Sequence, residues 1–369
     1  MSTPWDDLDD RSRQAVDASV ETFARIRPAL DAVRQDAEAR LRDAFAGSDL
    51  VPLFFSSRTK SVESFRAKAS RTEPGQSGDG PPTLVFPKPL AQIADLVGVR
   101  VITTLPEENS SAANLIKRQR SQFDCRSDRE KDIGSIESGT YGYSSRHLIL
   151  RTIHNDVVRE FQRQLEPDAK PTGNYAFEVQ IRTIFAHAWS EIEHDIRFKA
   201  DDPRAWSPHF DRQFTATAAM LESVEHAFSD LNENYNRVRS YWDPDGEGAA
   251  PLTAERIREV WQTLLPHVDR KSRDDWAWAI ELLDAHGIDT TLGLVELLQA
   301  DAISDVRKAL EHRYSPGPDR LLDDLLLWRF GTDHIDATAE PAGADSTPRR
   351  DSLQRRLAQM RRYRDQQPE

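Results

Sequence analysis

Glu178, Gln180 and Arg182 place a carboxylate, an amide and a guanidinium two residues apart, alternating with Tyr175, Phe177, Val179 and Ile181. A period of two puts the apolar set on one face of a strand and the three polar groups on the other. After Thr183 the period becomes helical: Phe185, Ala188, Trp189, Ile192 and Ile196 form one stripe, and His187, Glu191 and His194 a second. A strand that displays these groups and runs straight into a helix suits the wall of a phosphate-handling site.

A second group of chemically able residues lies upstream. In Phe54 to Arg71, Ser61 is placed to cap a helix, Arg58 and Lys60 stand just before it, and Lys68 and Arg71 emerge three apart on one side. Four cations beside a helix N-terminus suit a polyphosphate, because every charge and every free N–H opposes the same anion. Asp95 precedes the alternating segment Val97 to Thr104, a buried strand that carries Arg100. Further on, Tyr141-Gly-Tyr-Ser-Ser-Arg-His147 leads into a strand Leu148 to Arg151.

The run Glu178-Val-Gln-Ile-Arg-Thr followed by His187-Ala-Trp-Ser-Glu-Ile-Glu-His194 resembles the signature of the RelA/SpoT-type alarmone synthetase domain. The resemblance extends in five blocks, in the family's order, over about Phe54 to Lys199. It implies an α+β fold, a mixed sheet flanked by helices of nucleotidyltransferase-like type, and transfer of the β,γ-pyrophosphate of ATP to the ribose 3′-hydroxyl of GDP or GTP with release of AMP. The carried-over roles are ATP phosphate binding for Arg58, Lys60, Lys68 and Arg71, Mg²⁺ ligation for Asp95 and Glu178, and adenine stacking for Arg100, with Arg58 the second stacking partner. Glu178 is also the candidate base for the acceptor hydroxyl. Lys131, Tyr143, His147, Gln180 and Arg182 fall on the acceptor side, where Tyr143 would stack on the acceptor base.

Three positions depart from the family pattern. Ser144 stands for the usual Arg or Gln, Arg146 for Leu, and Gly139 for a Lys that binds the acceptor's phosphates. Lys131 or Arg146 is the expected replacement for that Lys. The departures keep two alternatives open: transfer to an adenosine nucleotide or a tRNA 3′ end, as in toxin-like relatives, or a non-catalytic nucleotide sensor. A di-iron reading of Glu191-x-x-His194 fails because no second copy exists, and no His-Glu-x-x-His is present for zinc.

Bulk properties agree with a soluble, cytoplasmic protein. The 369 residues hold 62 acidic and 49 basic side chains, a formal charge of −13, which argues against indiscriminate adhesion to nucleic acid. A single cysteine, Cys125, excludes an internal disulfide and is expected as a bystander thiol in a polar loop. No run of about 18 apolar residues suggests a membrane span, and the start lacks the pattern of a signal peptide.

Around the synthetase-like region, segmentation follows periodicity and turn residues. Residues 1–50 form an amphipathic helical segment that Pro28 should kink or divide and Gly47 should end, packing in cis or against a second copy. The synthetase-like domain is expected over 51–242, with loop from Thr72 to Pro89 and from about Gln119 to Thr140. Residues 243–250 read as a linker. A helical domain follows over 251–330, with a Ser272–Asp275 capping box before Trp276, and 331–369 reads as a flexible basic tail open to RNA or an acidic partner. The absence of histidine before His147 predicts that the metal-binding hydrolase module of long family members does not precede the synthetase. A homo-oligomer, or a protein regulator acting through the helical domain, is a further expectation.

Overall fold

The computed structural model describes residues 5, 8–73, 82–132, 141, 144–153, 155–165, 176–198, 207–266, 276–312, 316–339 and 347–366. The chain forms two compact units, Met1–Ser229 and Asp230–Glu369.

The first unit begins with helix α1 (Asp10–Ala46), capped by Asp9, whose carboxylate accepts the Ser12 N–H at 2.7 Å. Val16, Val20, Phe23, Ile26, Leu30, Val33, Ala37 and Leu41 make its buried stripe. Pro28 does not divide it. The proline forfeits one helical hydrogen bond, but Phe23 and Ile26 before it and Leu30 and Val33 after it pack into the same core, which holds the two halves in one line. The N-terminal segment is thus part of this unit's core.

There follow β1 (Phe54–Thr59), α2 (Val62–Ala69), two short strands β2 (Thr72–Glu73) and β3 (Thr83–Leu84), and a one-turn helix α3 (Pro89–Gln92). Strand β4 (Val97–Thr103), helix α4 (Pro106–Arg118), strands β5 (Phe123–Asp132) and β6 (Ser144–Thr152), and helix α5 (Asp156–Arg163) come next. Strand β7 (Ala176–Thr183) passes into α6 (Ile184–Glu193), which is prolonged by a π turn, His194–Phe198; α7 spans Pro208–Ser240. Thr183 makes the strand-to-helix junction, its hydroxyl accepting the Ala186 N–H at 3.0 Å as the N-cap of α6.

The strands form a mixed five-stranded sheet in the order β1-β4-β7-β6-β5, with β4 and β7 parallel and the other neighbours antiparallel. One face is apolar: Val97, Val99, Val101, Leu148, Leu150, Phe177, Val179 and Ile181 are wholly buried in one core with the α1 stripe. Phe23 of α1 stacks on Phe65 of α2, with centroids 4.3 Å apart, and so fixes α2 to the same core.

Two stretches expected as loop contain strands. The segment from Thr72 to Pro89 includes the β2–β3 pair, and Phe123–Asp132 is the edge strand β5, bulged between Cys125 and Ser127. Charged residues along β5 hide it from a hydrophobic-pattern reading, yet charge is what an edge strand uses to avoid pairing with another chain. Cys125 therefore lies in a strand, and burial pushes its thiol up, away from reactivity.

The second unit is helical: α8 (Ala254–Leu264), α9 (Trp276–Asp284), α10 (Thr291–Leu297), α11 (Ala300–Ala309), α12 (Pro318–Phe330), α13 (Thr332–Thr338) and α14 (Thr347–Asp365). The capping box expected at Ser272–Asp275 lies outside the described residues. The segment 243–250, expected as linker, is tied into a turn, with the N–H groups of Gly246 and Gly248 donating to the Asp243 carbonyl at 3.2 and 3.0 Å. Gly331, at φ +60°, makes the sharp passage from α12 to α13.

The basic C-terminal segment is folded over α14, contrary to the expected flexible tail. Leu353, Leu357 and Met360 are buried with Leu321 and Leu325 of α12 in one core. Beneath them Asp323 and Asp324 are almost inaccessible. Arg349 and Arg356 reach Asp323 at 2.8 Å each, Arg356 also bonds Asp324, and Arg320 meets Asp324 at 2.9 Å. Burial alone would raise the Asp323 carboxyl, but His334, Arg356 and Arg349 hold it well below the usual range. The arginines that read as a solvated face are in part the counter-charges of a buried acidic pair.

Candidate active site

The second face of the sheet is polar, and its register brings the chemistry-bearing residues together. Directly paired residues share a face, so Arg58, Gly98 and Glu178 form one row across β1, β4 and β7. Ser56, Arg100, Gln180, His147 and Arg129 form the next row, running on through β6 to β5. A cleft of about 150 Å³ opens on this face, lined by Arg58, Asp95, Gly98, Arg100, Glu178 and Gln180 with two serines of β1, Ser56 and Ser57. Gly98 is its floor: a Cβ built there meets no atom within 4 Å. The missing side chain leaves room for a ligand between Arg58 and Glu178.

Asp95 enters from the 3₁₀ turn Ala94–Leu96 that leads into β4. Its carboxylate takes Lys60 at 2.7 Å and Lys68 at 2.9 Å, one lysine on each oxygen. Burial works to raise this carboxyl, and the two ammonium groups outweigh it and hold it below the ordinary value. Lys60 follows the end of β1, and Lys68 is presented by α2, which Ser61 caps by accepting the Ser64 N–H at 3.1 Å. Arg71 is not on that helix, which ends at Ala69; it stands exposed beyond it and does not line the cleft.

Glu178 is fixed from two sides. His147 Nδ1 lies 2.7 Å from its Oε1, and Gln180 Nε2 donates to its Oε2 at 2.9 Å. Behind these, Ser145 Oγ lies 2.9 Å from His147 Nε2, and Arg182 donates to Gln180 Oε1 at 2.5 Å. The result is a continuous polar chain from Ser145 to Arg182 with Glu178 at its middle. Burial is the largest influence and pushes the Glu178 carboxyl up, but His147 and Gln180 together pull it down further, and the group stays below its ordinary value. Sequence alone puts His147 and Gln180 on the acceptor side; in the structure both also hold the Glu178 carboxylate.

Arg100 is held by a carboxylate that pattern reading left without a partner: its Nη2 lies 2.8 Å from Glu191 of α6. Burial and the charge of Arg58 both push the Arg100 guanidinium below its usual value, opposed by Glu191. Arg146, one of the expected replacements for the lysine missing at position 139, faces the other way. It pairs with Ile181 on the apolar side of the sheet, bonds Asp128 through two nitrogens at 2.8 Å each, and reaches Ser110 of α4 at 3.0 Å. Gly139 and Tyr143 lie outside the described residues, as does the Lys131 side chain. Arg129, which sequence reasoning passed over because β5 did not read as a strand, falls on the polar face opposite His147 and is exposed.

Residues 57–203 match the family model described as a region found in RelA / SpoT proteins. No curated protein matches the chain. Among solved structures, the chain is similar to small alarmone synthetase 2 from Bacillus subtilis, with 21% identity over 57% of this chain and 96% of the other and a TM-score of 0.38. It is also similar to small alarmone synthetase 1 of that organism bound to its product pppGpp, with 16% identity, coverage of 58% and 97%, and a TM-score of 0.43. A GTP pyrophosphokinase family protein from Streptococcus pneumoniae gives 16% identity, 64% and 100%, and 0.38. Lys60, Lys68, Asp95, Glu178, Arg58 and Arg100 all lie inside the interval 57–203 that is similar to the region found in RelA / SpoT proteins.

Proposed function

We propose that the protein is an ATP:nucleotide 3′-pyrophosphotransferase that makes guanosine 3′-pyrophosphates from GDP or GTP and releases AMP. The observation that carries the reading is the approach of two ionised carboxylates, Asp95 and Glu178, to one cleft that Arg58 and Arg100 line, with Lys60 and Lys68 bonded to Asp95. Such a site binds a polyanion while keeping acceptors for a metal ion and a proton. The family match supports the same chemistry.

The acceptor's 3′-oxygen attacks the β-phosphorus of ATP, the bond from that phosphorus to the α,β-bridging oxygen breaks, and AMP departs with the electron pair. Lys60 and Lys68 release Asp95 in part and turn to the triphosphate; Arg71, beyond α2, adds charge from the rim. Arg58 and Arg100 flank the adenine. Glu178, ionised at neutral pH and aimed by His147 and Gln180, takes the proton of the attacking hydroxyl. Arg182 holds Gln180 in place. Arg129 and Lys131 on β5, with Tyr143, serve the acceptor nucleotide, since Arg146 is committed to the far face.

The donor set fits Mg²⁺, which favours one or two carboxylates completed by phosphate oxygens; Asp95 and Glu178 would hold it. Bound there, the ion would neutralise charge on the transferring phosphates.

The test is incubation with Mg²⁺ and γ-labelled ATP in the presence of GDP, GTP, ADP or deacylated tRNA. Label in a guanosine product, lost in Asp95→Ala and Glu178→Ala, is the expected result. Label confined to tRNA or ADP would move the protein to the alternative acceptors, and no transfer to any acceptor would overturn the enzymatic reading.

A further inference from the structure

Helix α6 covers the upper part of the sheet's polar face, where His187 meets the ring of Phe54 edge-on at 5.8 Å. One turn on, Glu191 reaches down to the cleft and accepts a hydrogen bond from Arg100. The cleft's other carboxylates are engaged elsewhere, Asp95 by Lys60 and Lys68 and Glu178 by His147 and Gln180. Arg58 is its diagonal neighbour on β1, and His187 lies within the influence of both Arg100 and Arg182. A guanidinium in such company, four-fifths withdrawn from water, is repelled from its position unless a carboxylate holds it.

We propose that Glu191 is a positioning residue for the nucleotide base: it grips Arg100 by the edge of the guanidinium and leaves the flat faces open to stack on adenine. The inference rests on the ATP reading above. A single end-on contact engages few of the five N–H groups and neither π face. With Arg58 beside Gly98 on the neighbouring strand, diagonal to Arg100, the cleft becomes a slot for a flat ring rather than a second phosphate clamp. Glu191 also supplies the charge that lets two guanidinium groups approach one uncharged ring. Its own side chain is half exposed, so its loss leaves the core untouched.

The experiment compares wild type, Glu191→Ala and Glu191→Gln for binding of ATP and of inorganic tripolyphosphate, each with Mg²⁺, beside steady-state kinetics. Glu191→Ala is expected to weaken ATP binding about five- to tenfold and to raise the KM for ATP with kcat nearly unchanged. Tripolyphosphate, which has no base, should bind all three proteins alike, and Glu191→Gln should lose less than Glu191→Ala. In the Arg100→Ala background, Glu191→Ala should have no further effect. Unchanged ATP affinity in Glu191→Ala, or equal weakening of both ligands, would overturn the inference. Wild type that fails to bind ATP would overturn the ATP reading itself, a failure visible before any variant is compared.

Discussion

The His147 imidazole and the Glu178 carboxylate, on neighbouring strands β6 and β7, meet at 2.7 Å with Ser145 closing the far side of the ring. Burial would raise the Glu178 carboxyl, and this contact is the largest influence that keeps it low. Removing it should let the group titrate at higher pH. His147→Ala is therefore expected to move the acid limb of the kcat/KM profile upward and to lower kcat by about 10- to 100-fold. A profile whose limb stays in place would show that Glu178 is not the group being titrated.

Gly98 offers a test of the cleft that spares the fold. Because a Cβ there meets only open space, Gly98→Val should not strain the sheet. Replacing a strand glycine by a β-branched residue should leave the unfolding temperature at or above that of wild type. The new side chain fills the gap between Arg58 and Glu178, so ATP binding should fall sharply while circular dichroism is unchanged.

Arg129 and Arg146 are neighbours across the β5–β6 pairing and opposite in consequence. Arg129→Ala should raise the KM for the acceptor without altering that for ATP. Arg146→Ala should leave both constants alone and cost about 1 kcal/mol or less of stability. The Arg146 hydrogen bonds are the main reason the Asp128 carboxyl lies at about 2. The stability that they supply is present above the ordinary carboxylate range and fades as pH falls towards that value. The difference between wild type and Arg146→Ala in denaturant unfolding should narrow correspondingly in acid.

In the helical unit Arg356 answers two buried carboxylates at once. Arg356→Ala should cost about 3–5 kcal/mol, because it strands charge in a dry interior. Combined replacement of Asp323, Asp324 and Arg356 by apolar residues should be milder than the single change. Limited proteolysis of α14, read beside thermal unfolding, separates these outcomes.

Much of the site was legible because its elements obey simple periods. The alternation Phe177, Val179, Ile181 against Glu178, Gln180, Arg182 defined β7 and its polar face, and Ser61 marked the start of α2. What pattern could not supply was the pairing of strands. Arg146 is turned from the site by the register of β6 with β7, and Arg129 is brought to it by the register of β5 with β6, but β5 carries too many charges to announce itself. Arg71 was assigned to α2 by spacing alone, although the helix stops two residues earlier. The tail misled for a related reason: Arg349 and Arg356 look solvent-directed until the buried Asp323 and Asp324 of another helix are placed beneath them.

The parallel pairing of β4 with β7 joins Gly98 to Glu178, positions eighty apart in the chain. During folding, closure of that long loop must precede any grip on a nucleotide, so the cleft appears late and all at once. A chain that stops short of β7 lacks Glu178 and Gln180, and with them one wall of the cleft. Substrate then acts as a selector of completed sheets: nucleotide at a hundred times its dissociation constant would add about 2.7 kcal/mol to the paired state and nothing to its precursors.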